Sequence, residues 1–275
     1  MVVIVSAAVA GGALLFGIGA GEPAGHTQAL RENTVMTKPE WPDGCVEQVF
    51  EGARAILCTV DPRTREIRLV YSDPEGNILG SVGAATDHLR AEAGMRDRLV
   101  LAMNAGMYHA DMSPVGLYVE DTIEAAPINQ DDGFGNFFLK PNGVFFVLED
   151  GSAGVLETQA YAAADLDPAF ATQSGPMLVI DGEIHPRFLP DGTSKFIRNG
   201  VGVRADGTAV FAITRDRVSL GSFARLFQEV AECENALFFD GAVSSLALGA
   251  DMVIDSGEPA GPVAVVVERL EREGS

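Results

Sequence analysis

Short runs of apolar residues broken by turn residues dominate this chain, and they predict strands more often than helices. REIRLVYS (65–72) and NILGSV (77–82) flank DPEG, a turn signal that predicts two paired strands. RLVLAMN (98–104) predicts a strand ending at Asn104, and VGLYVEDTIEAAPIN (115–129) a strand and turn. Two segments share one plan: NGVFFVLEDGSAGVLE from Asn142 and NGVGVRADGTAVFAIT from Asn199. Each carries Asn-Gly-Val, an apolar run, Asp-Gly and a second apolar run, the pattern of a hairpin. The first is apolar on both faces, which places it inside a sheet. MLVI (177–180) and ALFFD (236–240) predict two further strands.

Helical periodicity is rarer. HLRAEAGMRD (88–97) predicts a short helix ending near Gly94. SFARLFQEVAE (222–232) predicts a second, with Ser222 as N-cap and Phe223, Leu226, Phe227 and Val230 on one stripe. The pattern as a whole predicts an α+β fold: a single mixed, strand-rich domain over 45–272 with a few helices packed on the sheet.

Composition adds limits. At 275 residues and 47% hydrophobic content, the chain can build a substantial core. Its formal net charge of −20 repels polyanions, which excludes nucleic acid as a partner. The first 20 residues carry no charge and are followed by a polar stretch rich in Pro and Gly. This predicts a signal peptide or N-terminal anchor over 1–24 and a linker over 25–44. The expected location is periplasmic or secreted, with membrane contact only through that segment if it is uncleaved. Of three cysteines, Cys45 and Cys58 flank a candidate hairpin turning near Gly52. A disulfide there suits an oxidising compartment; three buried free thiols are the alternative.

The chain lacks GxSxG, HExxH, GxxxxGK[ST] and a GxGxxG after a strand. It has four histidines, and only His109 lies near a candidate site, so a multi-histidine metal centre is not expected. No cofactor is required by the sequence, although a divalent metal is compatible with it. DDGFGN (131–136) lacks the ligand spacing of a calcium loop and reads as a loop at a pocket. Polar residues cluster where apolar strands end beside glycine: Asn104 before Gly106, Ser174 before Gly175, Asn199 before Gly200, Thr214 after AVFAI, and Asp240 before Gly241. Strand ends on one rim commonly build a site, whereas turn chemistry explains each residue singly. Between His185 and Arg217 lie six basic residues and only three acids, a cationic region suited to a phosphate or to surface ion pairs.

AMNAGMY, PVGLYVE, GNFFLKPNGVF, ATQSGPMLVIDG, RNGVGV and NALFFDGAVSS occur in this order. As an ordered set they resemble the phosphodiester glycosidase family, over about 45–250, and most closely its bacterial exported branch. The resemblance implies a mixed α+β domain that hydrolyses a sugar-1-phosphodiester. It points to Asn104, Gly106, Ser174, Gly175, Arg198, Asn199, Thr214, Asp240, Gly241 and Ser244. One departure stands out: DGAVSS replaces a more glycine-rich turn, so substrate identity does not transfer with the fold.

A phosphate leaves with its charge already stabilised, so one carboxylate and a cation can replace the carboxylate pair of ordinary glycosidases. Asp240 is then the expected base or nucleophile, Arg198 the phosphate ligand, and Asn104 the third catalytic candidate. Gly106, Ser174, Gly175, Asn199, Thr214, Gly241 and Ser244 are expected at the substrate, a phosphorylated carbohydrate or glycan. A non-catalytic envelope module binding anionic polysaccharide would use the same residues. An enzyme attacking phosphorus with the help of a metal is a third reading.

Overall fold

The computed structural model describes residues 41–269, apart from 93, 96 and 97. The predicted signal or anchor at 1–24 therefore lies outside the described residues, as does most of the predicted linker. The chain begins with β1 (Cys45–Phe50), β2 (Ala53–Val60), β3 (Arg65–Val70), helix α1 (Val82–Ala91), β4 (Leu99–Asn104), β5 (Tyr118–Glu120) and β6 (Ile123–Ala126). It continues through β7 (Gly143–Leu148), β8 (Ala153–Glu157), α2 (Thr158–Ala163), β9 (Pro168–Ser174), β10 (Met177–Ile180) and β11 (Glu183–Ile184). Then follow β12 (Asn199–Val203), β13 (Ala209–Thr214), α3 (Leu220–Arg225) with a π-helical turn (Leu226–Val230), β14 (Asn235–Asp240), β15 (Leu246–Leu248), β16 (Asp251–Ile254) and β17 (Val263–Glu268).

The strands form three antiparallel sheets. The first runs β1-β2-β13-β12-β14-β10-β11, the second β16-β15-β4-β17-β3, and the third β6-β5-β9-β7-β8. Each sheet turns one face to a common core, where Ile56, Phe211 and Phe239 meet Leu101 and Met103 of the second sheet and Phe145 and Val147 of the third. Each sheet's other face is covered by its own helix. Phe223 and Phe227 pack on Leu57, Val210 and Phe238; Val82, Ala85 and Leu89 pack on Ala102 and Val265; Tyr161 packs on Val144 and Phe146. Two buried faces explain why these strands are apolar at nearly every position instead of alternating. This is the single mixed α+β domain the pattern predicts, with helices packed on its sheets.

Both Asp-Gly hairpins form as expected, β7 with β8 and β12 with β13, and β7 lies inside its sheet between β9 and β8. Two expectations are corrected. NILGSV is not a strand: only Ile78 bridges to Ser72, and Ser81 instead caps α1, accepting from the Ala84 amide at 3.0 Å. A serine hydroxyl that satisfies a free helix-end N–H outweighs the β propensity of a short apolar run. That helix therefore starts earlier than HLRAEAG suggests. The later helix also starts early, because Ser219 is the N-cap and accepts from the Ser222 amide at 3.1 Å. Ser222 lies inside the first turn, its hydroxyl bonded to Glu51.

Cys45 and Cys58 face each other in the β1–β2 register and are joined by a disulfide. The turn between these strands has Glu51 and Gly52 at φ 49° and 78°, the left-handed pair that a two-residue hairpin requires. Cys233 is a buried free thiol, its pKa pushed up to about 12 by burial.

Candidate functional site

The three sheets meet at one rim, and polar side chains fasten them there. Asn104 ends β4 in the second sheet. Asn199 begins β12 in the first, and its amide nitrogen donates to Asn104 O at 2.7 Å and Asn104 Oδ1 at 3.0 Å. The Ser245 amide donates to the same Oδ1 at 2.8 Å, which fixes the orientation of the Asn104 amide. Ser174 ends β9 in the third sheet and donates to Phe239 O at 3.2 Å. All three side chains are almost completely buried. Asn104 Nδ2 is left without an acceptor among the described residues.

Asp240 reaches this rim through an irregular register. Asn199 pairs with Asp240 but Gly200 pairs with Phe238, so β14 holds one extra residue at its end. Such a bulge re-aims the side chain that follows it. Gly200 permits the close approach, since a Cβ there would stand 2.5 Å from Leu237 O. The Asp240 amide donates to Asn199 Oδ1 at 3.1 Å. Its carboxylate Oδ1 accepts from the amides of Ala242 at 2.6 Å and Val243 at 3.2 Å. Asp240 Oδ2 accepts nothing among the described residues. The side chain is thus both things at once: a turn carboxylate through one oxygen, and a positioned free acceptor through the other. Ser244 closes the turn, its hydroxyl within 3.3 Å of Asn199 Oδ1 and 3.2 Å of Asp240 O.

Arg198 is 2% exposed and has no carboxylate partner among the described residues. Its guanidinium lies between Phe196 and Phe238, 5.5 and 5.3 Å from their ring centres. Nε donates to Val218 O at 2.8 Å and Nη2 to Ser194 O at 3.0 Å. Nη1 makes no bond among the described residues. A Cβ at Gly241 would stand 3.2 Å from it, so glycine keeps that edge open. Burial lowers the Arg198 pKa to about 10, which leaves it charged at neutral pH. A buried, uncompensated cation is costly, and an arriving anion offsets that cost. Beside it lies a cleft of about 430 Å³ lined by Phe196, Arg217, Gly241, Ser244, Asp255 and Ser256 among others. That size suits a sugar phosphate.

The fold therefore brings together Asn104, Arg198, Asn199, Thr214, Asp240, Gly241 and Ser244. Thr214 acts from behind: its hydroxyl accepts from the Arg198 amide at 3.0 Å. Gly106 and Gly175 are placed for packing. A Cβ on Gly106 would stand 2.2 Å from Thr172 Oγ1, and one on Gly175 2.6 Å from Phe137 O. Arg217 belongs to the cationic region already marked in the sequence, whereas Ser245 and Tyr108 are further residues at this rim. Tyr108 donates to Pro259 O at 2.5 Å, and burial followed by the nearby Asp240 and Glu258 carboxylates pushes its pKa up to about 12. Its signal was available, since it closes the same AMNAGMY motif that holds Asn104. His109 is exposed. Among the described residues no three His, Cys, Asp or Glu side chains converge as metal ligands.

Known proteins share this architecture. The family described as phosphodiester glycosidase matches residues 97–267. The uncharacterised protein YigE of Escherichia coli K12 is 34% identical over 188 residues, 68% of this chain and 72% of YigE. The catalytic domain of zebrafish N-acetylglucosamine-1-phosphodiester alpha-N-acetylglucosaminidase, auto-inhibited by a pro-peptide, superposes with a TM-score of 0.53 at 15% identity, over 82% of each chain. A hypothetical protein from Synechocystis gives the same TM-score and identity over 82% of this chain and 61% of its own. Those two likenesses concern the fold, whereas the sequence matches identify the lineage. The chain belongs to the phosphodiester glycosidase family.

Proposed function

We propose that this protein hydrolyses a sugar-1-phosphodiester carried by an envelope or extracellular glycan. The observation that carries the reading is Arg198: a buried guanidinium without a counter-charge among the described residues, its free Nη1 near Gly241, which itself lines the cleft. Arg198 holds the leaving phosphate by charge and through Nη1. Asp240 Oδ2 works at the anomeric carbon as base or nucleophile, its other oxygen clamped by two amides. As base, Asp240 takes a proton from a water whose oxygen bonds to C1; as nucleophile, it forms a glycosyl ester that water then hydrolyses. In either case the C1–O bond breaks with its electron pair left on a phosphate oxygen that Arg198 neutralises. Asn104, Asn199, Ser244 and Thr214, all buried, hold the reacting groups in place from behind. Residues 45–272 act as the working domain, and residues 1–24 direct it to the periplasm or cell exterior. Among the described residues no helix is long and apolar enough to cross a membrane.

A second reading rests on the same turn. Asp240 Oδ1 is occupied by the Ala242 and Val243 amides, as a purely structural aspartate would be. A non-catalytic module binding anionic glycans accommodates that arrangement. The deciding experiment offers the purified protein a panel of sugar-1-phosphodiesters, with and without EDTA, beside a folded Asp240→Asn variant. Turnover that collapses in the variant supports the glycosidase. No turnover on any substrate, with anionic glycans still bound, establishes the binding module. Loss of turnover in EDTA reassigns the chemistry to a metal-assisted attack on phosphorus.

A further inference from the structure

A larger cleft, about 690 Å³, lies in the third sheet's region and shares no lining residue with the one beside Asp240. Its apolar side is made by Leu117, Val119, Ile128, Leu166 and the ring of Tyr161. Glu124, Glu149, Asp165 and Asp167 also line it, all exposed. None of the four makes a salt bridge or accepts a side-chain hydrogen bond among the described residues, and no Lys or Arg lines the cleft. Lys140 comes close, donating to the Gln130 carbonyl at 2.8 Å, but it is neutralised by Asp132.

Tyr161 supplies an independent observation. The residue is 8% exposed, and its hydroxyl, which keeps contact with solvent, has no hydrogen-bond partner among the described residues. The hydroxyl feels two of the lining carboxylates, Glu124 and Asp167, which together with burial push its pKa up to about 12. The group within its reach would be one that enters the cleft.

The carboxylates do not converge: no three of them form a metal-ligand group among the described residues. A compact ion would leave most of them unpaired, whereas an extended cation meets several at once. We propose that this cleft binds a linear aliphatic polyamine. Its ammonium groups pair with Glu124, Glu149, Asp165 and Asp167, and its methylene spacers cover the apolar side. The Tyr161 hydroxyl accepts from one ammonium. The site is independent of the glycosidase reading and stands or falls separately from it.

The test is calorimetric titration of the full chain with spermidine at roughly physiological salt, where long-range attraction to a chain of net charge −20 is screened. Saturable one-to-one binding is expected. Glu124→Gln with Asp167→Asn should weaken it about tenfold, the sum of two modest exposed pairs. Tyr161→Phe should weaken it about threefold, the effect of one hydrogen bond of modest strength. Neutralising two exposed acids far from the cleft in sequence, Glu75→Gln with Asp87→Asn, should leave it unchanged. No saturable binding, equal loss in both double variants, or tighter binding of tetralysine than of spermidine overturns the proposal. The last outcome would make the occupant a basic peptide.

Discussion

Replacing Asn199 by alanine tests whether the rim is held by the amide network or only by the sheets beneath it. Asn199 is fully buried, and its side chain donates to Asn104 O and Oδ1 and accepts from the Asp240 amide and the Ser244 hydroxyl. Not all four losses count equally. Ser244 keeps Ile197 O and Asp240 O as partners, and Asn104 Oδ1 keeps the Ser245 amide. The Asp240 amide loses its acceptor, and the contact between the first and second sheets loses both of its donations. An orphaned buried polar group costs about 1–3 kcal/mol, so the two main losses amount to roughly 3 kcal/mol. At about 2–4 °C per kcal/mol for a domain of this size, Tm should fall by roughly 6–12 °C. Thermal unfolding followed by near-UV circular dichroism measures this directly. The Asn104→Ala single variant and the double variant complete a cycle. Because the two residues share a bond, the cycle should show a coupling of about 1–2 kcal/mol. A Tm drop under about 2 °C for Asn199→Ala, or strict additivity in the cycle, would refute the claim that these asparagines join the sheets.

Three further outcomes follow from particular contacts. Gly106→Ala places a Cβ 2.2 Å from Thr172 Oγ1 and 2.7 Å from Gln173 O, so it should cost about 1–3 kcal/mol in chemical denaturation; a neutral result would mean that β9 yields easily. Asp216 is held well below the usual carboxylate range by side-chain and backbone bonds from Arg54, so its contribution is present above the unfolded pKa near 4 and is lost as pH falls below it. Asp216→Asn should therefore flatten part of the acid-side slope of Tm against pH and leave the slope above pH 5 unchanged. Cys233, buried and with its thiol pushed up to about 12, should not react with a thiol reagent in the native protein at pH 8, and one equivalent should appear on denaturation without reductant.

Local signals in this sequence are legible where the chain decides locally. Both Asp-Gly hairpins, the strand ending in Asp240 and the hairpin between Cys45 and Cys58 follow from turn chemistry and apolar runs. The start of α3 is ambiguous because Ser219 and Ser222 both precede the apolar stripe and only Ser219 has the extended backbone of a cap, whereas the cap of α1, Ser81, sits inside a run whose composition favours a strand. The division into three sheets around one core left no local trace, since a strand buried on both faces looks the same whichever sheet owns it. The site was legible as residue types at strand ends, but its connections were not. Asn104 and Asn199 are 95 positions apart, and nothing near either residue announces the other. The bulge that turns Asp240 toward the rim also escaped, because it depends on pairing with β12 rather than on the composition of β14. Gly106 and Gly175 carry no mark that distinguishes a glycine making room for protein from one making room for a ligand.

The order of strands governs how the chain can come into being. β2 finds its second neighbour in β13, and β3 pairs with β17, the last strand described. β17 also lies between β3 and β4, so β3 stays apart from the rest of the second sheet until residues 263–268 arrive. A nascent chain emerging N-terminus first holds a disulfide-ready hairpin and several apolar strands whose partners have not yet been translated. Cooperative folding must wait for residues 263–268, and during that wait the strand edges stay open to other chains. A ribosome-bound intermediate ending before β17 should therefore depend on a holdase for its solubility, whereas the finished chain should not.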